Sequence, residues 1–91
     1  MGADDKNQNI IGPVLRTMRV EAGLSQEQLA AKIQVQGWDL SRAGLSKIES
    51  RLRRVNDAEL LVLSRVLGCD LKDLYPSRVN GLRDVLRQGK P

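Results

Sequence analysis

Residues 42–54 hold five cations (Arg42, Lys47, Arg51, Arg53 and Arg54) against the single acid Glu49, so this window carries a net +4, the same as the whole 91-residue chain. Guanidinium and ammonium groups donate hydrogen bonds to phosphate oxygens and to the acceptor edges of bases. They do not make a catalytic set. The chain has no histidine and one cysteine, Cys69, so zinc clusters, Ser-His-Asp or Cys-His catalysis and a disulfide framework all lack their parts. The composition therefore points to binding of a polyanion rather than to an enzyme, and implies no cofactor, no metal and no evident small-molecule ligand. Most charge runs are solvated surface. This one coincides with a helix whose outer face suits a DNA groove, and that coincidence gives it meaning.

The helix in question is the third along the chain, with Ser41 as its N-cap. At about 100° per residue, Leu45, Ile48 and Leu52 share one face, and Ala43, Ser46, Lys47 and Ser50 point the opposite way. Short side chains near a helix N-terminus let the backbone approach the major groove, where Arg42 or Lys47 can donate to guanine edges or phosphates. Glu49 falls about 40° from Leu45 on the same wheel, an awkward place for an unpaired carboxylate. Arg53 lies one turn later, but Arg19 belongs to a segment that would pack across the helix pair. Arg19 with Glu49 is the expected structural ion pair, fixing the third helix against the first.

The other elements follow from punctuation. Gly12-Pro13 opens a first helix that runs to about Ala22, with Leu15 and Met18 inward and Gly23 as its stop. Ser25 and Gln28 form a capping box for a second helix, with Leu29, Ala30 and Ile33 as its inner stripe, lasting to Val35 or Gln36. Asn56 and Glu59 repeat the capping signature for a fourth helix, with Leu60, Leu63 and Leu67 inward and Gly68 after it. Asp70 caps a short fifth, in which Leu71, Leu74 and Tyr75 cover the core. Val79, Leu82, Val85 and Leu86 admit a sixth over residues 78–87. The expected architecture is all-α, a bundle of about five short helices: a flexible tail over residues 1–9, one domain over 10–76 and a C-terminal extension over 77–91. No apolar run reaches the roughly 18–20 residues of a membrane span, and the polar start does not resemble a secretory signal, which together imply a cytoplasmic, reducing location.

Taken together, Arg19, the run Gly23-Leu24-Ser25-Gln26-Glu27-Gln28-Leu29-Ala30, the run Leu45-Ser46-Lys47-Ile48-Glu49, and residues 60–68 before Asp70-Leu71 resemble the Cro/repressor-type (XRE-type) helix-turn-helix family of transcription regulators. The resemblance spans residues 11–75 and implies a lambda-repressor-like fold. It also implies base contacts from Arg42, Ala43, Ser46 and Lys47, phosphate contacts from Gln26, Ser41, Arg51, Arg53 and Arg54, and pairing of Arg19 with Glu49.

Two features depart from the family pattern. Residues 34–38 read as an insertion of about five residues between the second and third helices, with Trp38 as a plug between helices. Gly44 in the reading helix costs on the order of 1 kcal/mol relative to Ala, and so marks a close approach or a loose first turn. The expected function is sequence-specific binding of double-stranded DNA by a transcription regulator, a repressor. It would act as a homodimer on two half-sites, through residues 79–86 and 71–75, with no membrane partner. The competing reading is a protein-interaction module of the same fold, such as an antitoxin or a regulator-sequestering protein. RNA binding is disfavoured because Trp38 and Tyr75 are the only aromatic residues available for stacking.

Overall fold

The computed structural model describes residues 7–87. Local capping chemistry sets where most helices begin. The Ser25 hydroxyl accepts the Gln28 N–H while the Gln28 side chain accepts the Ser25 N–H, opening the helix that follows. Ser41 accepts the Gly44 N–H, and Asn56 exchanges the same reciprocal bonds with Glu59. The elements in chain order are α1 (Gly12–Glu21), α2 (Gln26–Val35), α3 (Arg42–Glu49), α4 (Asp57–Leu67), a 3₁₀ turn (Leu71–Leu74) and α5 (Leu82–Arg87). No strand forms among the described residues.

The apolar stripes meet in one core. Leu15 comes from α1, Leu29, Ala30 and Ile33 from α2, Leu45 and Ile48 from α3, Leu63 from α4 and Leu74 from the 3₁₀ turn, joined by Ile11 and Leu40. α1 and α2 both pack on α3, and α4 packs on α2 and on the 3₁₀ turn. The α1–α3 contact is close enough to dictate a residue type. A Cβ at Gly12 would run into the backbone carbonyls of Ile48 and Glu49, so the start of α1 can lie on the end of α3 only as glycine.

Asn9 tightens the same junction. Its Oδ1 accepts the Gly12 N–H at 2.9 Å, and its Nδ2 donates to the Ile48 carbonyl at 3.1 Å and the Arg53 carbonyl at 2.7 Å. These are an orphan donor at one helix start and carbonyls at and beyond another helix end, which one amide can satisfy together. The flexible tail expected over residues 1–9 therefore does not extend to Asn9, which is buried. Gln8 donates its N–H to the Arg51 carbonyl, and Asn7 donates to Asp84. Residues 1–6 and 88–91 of the expected tail and extension lie outside the described residues.

Three further expectations are corrected. Leu52 does not anchor α3: the chain turns left-handed at Arg51 (φ 65°) directly after the helix, which throws Leu52 out of helical register and leaves it 47% exposed. The fifth element is a 3₁₀ turn that buries only Leu74, with Leu71 and Tyr75 largely exposed. The last helix begins at Leu82 rather than 78.

Two glycine substitutions separate backbone crowding from helix propensity. Gly44→Ala meets only the end of the Leu40 side chain, besides the Ser41 hydroxyl at ordinary contact distance. It gains about 1 kcal/mol of helix propensity, so its stability in urea unfolding is expected within about 1 kcal/mol of wild type. Gly12→Ala, pressed against two backbone carbonyls, is expected to lose more than about 2 kcal/mol in the same measurement.

Candidate nucleic-acid interface

Leu45, Ile48 and Glu49 turn α3 inward, and the opposite face is left to solvent. Arg42, Ala43 and Lys47 are exposed, with Ser46 half-buried beside them. The base-contacting residues expected from the sequence thus share one outer face. Gly44 lies on the flank of this face, where a Cβ would fall 2.8 Å from Leu40 Cδ1. The neighbour is a side-chain end and not the approaching backbone that is one of the two expectations for this glycine. The Ser41 hydroxyl, expected at phosphate, is engaged as the N-cap.

Behind this face lies a charged core. Arg19 Nε donates to Glu49 Oε2 at 2.6 Å and Nη2 to Oε1 at 3.1 Å, with the two side chains 10% and 2% exposed. Arg19 Nη1 also donates to the Leu24 carbonyl, tying the α1–α2 turn to the pair. The hydrogen bond to Glu49 raises the Arg19 pKa, burial opposes it, and the Glu49 charge adds to the rise. The expected pairing of Arg19 with Glu49 is therefore present as a bidentate buried bridge. Gln26, expected at phosphate, is drawn into it: Nε2 donates to Glu49 Oε1 at 3.0 Å, and Oε1 accepts a long 3.4 Å bond from Arg42.

The arginines after α3 divide. Arg51 Nε donates to the Asn9 carbonyl and Nη2 to the Asn80 carbonyl, both at 2.6 Å, so its guanidinium holds two chain segments together. Arg53 forms a two-pronged bridge to Glu59, with Nη1 3.1 Å from Oε1 and Nη2 3.0 Å from Oε2, and Nη1 also donates to the Arg54 carbonyl. Its guanidinium carbon lies 5.6 Å from the centre of the Trp38 ring. Of the three arginines expected at phosphate, Arg54 is the exposed one. The Arg53–Glu59 bridge was missed because Glu59 is already accounted for by its capping role, and a second use of the same carboxylate has no separate sequence signal. Burial alone would raise the Glu59 carboxyl, but the Arg53 hydrogen bond, the Asn56 N–H and the Arg53 charge together hold it below its ordinary value.

Of the insertion expected over residues 34–38, Gln34 and Val35 belong to the end of α2, and the connection to α3 is a loop over residues 36–41. Gln34 Nε2 donates to the Leu40 carbonyl and the Leu40 N–H to the Trp38 carbonyl, each at 2.8 Å. Trp38 is half-buried against the core, in keeping with its expected role as a plug.

The Helix-turn-helix family model (HTH_3) matches residues 15–74. Among solved structures, the chain is similar to the restriction-modification controller protein C.AhdI from Aeromonas hydrophila, at 31% identity over 71% of this chain and 87% of that one, with a TM-score of 0.63. It is also similar to the clp gene regulator ClgR from C. glutamicum, at 25% identity over 70% of this chain and 77% of that one, with a TM-score of 0.62. The DNA-binding domain of BldD is similar at 25% identity over 84% of this chain and all of that one, with a TM-score of 0.63. No curated protein sequence matches.

Removing one partner of the inner bridge leaves a buried charge uncompensated. Glu49→Ala is expected to lower stability by about 3–5 kcal/mol in denaturant unfolding. The partly exposed outer bridge, its side chains 32% and 17% exposed, contributes less, about 1 kcal/mol. Because the native Glu59 carboxyl titrates below its unfolded value, its contribution is complete above that unfolded value and fades as pH falls through the native one. The stability gap between wild type and Glu59→Gln should be open at pH 7 and close once the pH drops well below about 4.

Proposed function

This chain belongs to the helix-turn-helix family of the Cro/repressor (XRE) type, whose members are DNA-binding regulators, and we propose that it binds double-stranded DNA sequence-specifically with α3 in the major groove. The observation that carries this reading is the outer face of α3, where Arg42, Ala43 and Lys47 are exposed while Leu45, Ile48 and the Arg19–Glu49 bridge hold the helix from behind. Arg42 and Lys47 donate to base edges, preferring guanine. Ala43 lets the backbone close on the groove or meets a thymine methyl, and Ser46 donates to a base or the adjoining phosphate. Arg54 takes a phosphate after the helix, and Gln26 and Ser41 present the N-terminal ends of α2 and α3 to the backbone of the duplex. Arg51 and Arg53 contribute by shaping the loop that carries Arg54.

A single reading helix contacts few base pairs, so specificity calls for two copies on symmetric half-sites about one helical turn apart. The exposed apolar side chains Leu71, Tyr75, Val79, Leu82 and Leu86 support pairing through the 3₁₀ turn and α5. Occupying a promoter in this way would repress transcription. Among the described residues no helix is long and apolar enough to cross a membrane, and a duplex partner sets the site of action in the cytoplasm.

Lys47→Ala is expected to cost about 1–3 kcal/mol on a duplex selected from a random library and much less on an unselected one. Arg54→Ala is expected to weaken both alike and to reduce the slope of log affinity against log salt by about 0.9 per protomer. Titrations of both duplexes at several salt concentrations check this, and indifference to both substitutions would favour a protein-interaction module.

A further inference from the structure

Two loops bracket the reading helix, residues 36–41 before it and 50–56 after it, and one contact joins them across the outside. Arg53 sits over Trp38 from the second loop to the first, at 5.6 Å from the ring centre, within the range in which a guanidinium is held by an indole face. Each partner is fixed independently. Trp38 lies half-buried on the core in a loop stapled to α2 by the Gln34–Leu40 bond. The Arg53 carbonyl is pinned by Asn9, and its guanidinium is gripped by both oxygens of Glu59 at the start of α4. Both of its Nη groups are turned to Glu59 and the Arg54 carbonyl, so a phosphate would take those donors only by displacing the Glu59 bridge.

We infer that Trp38, Arg53 and Glu59 form a clamp that fixes both ends of α3 and thereby sets the angle at which the helix meets DNA, so that Arg53 is a positioning residue and not a phosphate ligand. This rests on the reading of α3 as the groove-entering helix. Arginine suits this position because its fork meets a carboxylate with two parallel bonds while its delocalised charge stays within cation–π range of the indole. A lysine keeps the charge but loses the two-pronged bridge, and its flexible stem does not hold carboxylate and indole in one fixed geometry.

Conservative variants separate the two roles of Arg53. Wild type, Arg53→Lys, Arg53→Ala and Glu59→Gln are titrated with a selected duplex and with an unselected duplex of equal length, across a range of salt. The emission of Trp38, the chain's one tryptophan, is recorded for each free protein. The clamp predicts that Arg53→Lys and Glu59→Gln each lower the ratio of selected to unselected affinity about tenfold, the worth of a misplaced base contact, with the salt slope unchanged. It also predicts that indole emission shifts to the red in all three variants as the ring face is uncovered. Glu59→Gln retains the side-chain acceptor of its capping box, and thermal unfolding verifies that each variant is folded, so the test survives if Arg53→Ala fails to fold. The clamp is overturned if Arg53→Lys binds as wild type while Arg53→Ala weakens both duplexes equally and reduces the slope by about 0.9 per protomer. It is also overturned if Trp38 emission is the same in all four proteins. Absence of duplex binding by the wild type itself overturns the groove-entering role of α3, an outcome distinct from a wild type that binds no better than Arg53→Lys.

Discussion

The carboxylate of Glu49, 2% exposed at the inner side of α3, is the constraint on which the rest of the structure depends. An ion so far from water is tolerable only if its oxygens are met by charged or polar donors. Arg19 supplies two bonds from α1 and Gln26 a third from α2. Each donor comes from a different helix, so satisfying one carboxylate sets three helices in mutual register. The glycine contact at the start of α1 and the triple bonding of Asn9 act at the same end of α3. With its inner side determined in this way, the outer side of α3 is free to be selected for what it touches.

The basic character of the chain therefore divides into two kinds of charge. Arg19, Arg51 and Arg53 spend their guanidinium donors inside the protein, on a carboxylate, on two carbonyls, and on a carboxylate beside an indole. Lys47 and Arg54 are exposed, and so is Arg42 apart from one long bond to Gln26 Oε1. The planar fork of arginine suits the first task, and every one of the inward cations is an arginine. A count of positive residues over 42–54 shows where charge is gathered but does not say which side chains are free to meet a partner.

Most of what could be read from the sequence was local, the pairing of Arg19 with Glu49 across 30 residues being the exception. The capping boxes of Ser25 with Gln28 and Asn56 with Glu59 act over three residues, and both appear as expected. The inward turn of Glu49 followed from helical period alone, and Arg19 was the cation within reach on the packing helix. The misses share a long sequence separation or a departure from regular backbone. Asn9 bonds partners 39 and 44 residues away, and the Arg51 guanidinium reaches back 42. A left-handed residue after α3 removed Leu52 from the face that an uninterrupted helix would have given it. Polar side chains that close loops carry no periodicity, so nothing in their spacing distinguishes them from solvated ones.

The role of α3 depends on which surface meets the duplex, and amide chemical-shift mapping during titration with a selected double-stranded site reads that surface residue by residue. The largest changes are expected along residues 41–47 and at Arg54, with the exposed ends of α2 and α4 around Lys32 and Arg65 unperturbed. Changes centred on Lys32 and Arg65, or on α5, with the amides of α3 silent, would contradict it.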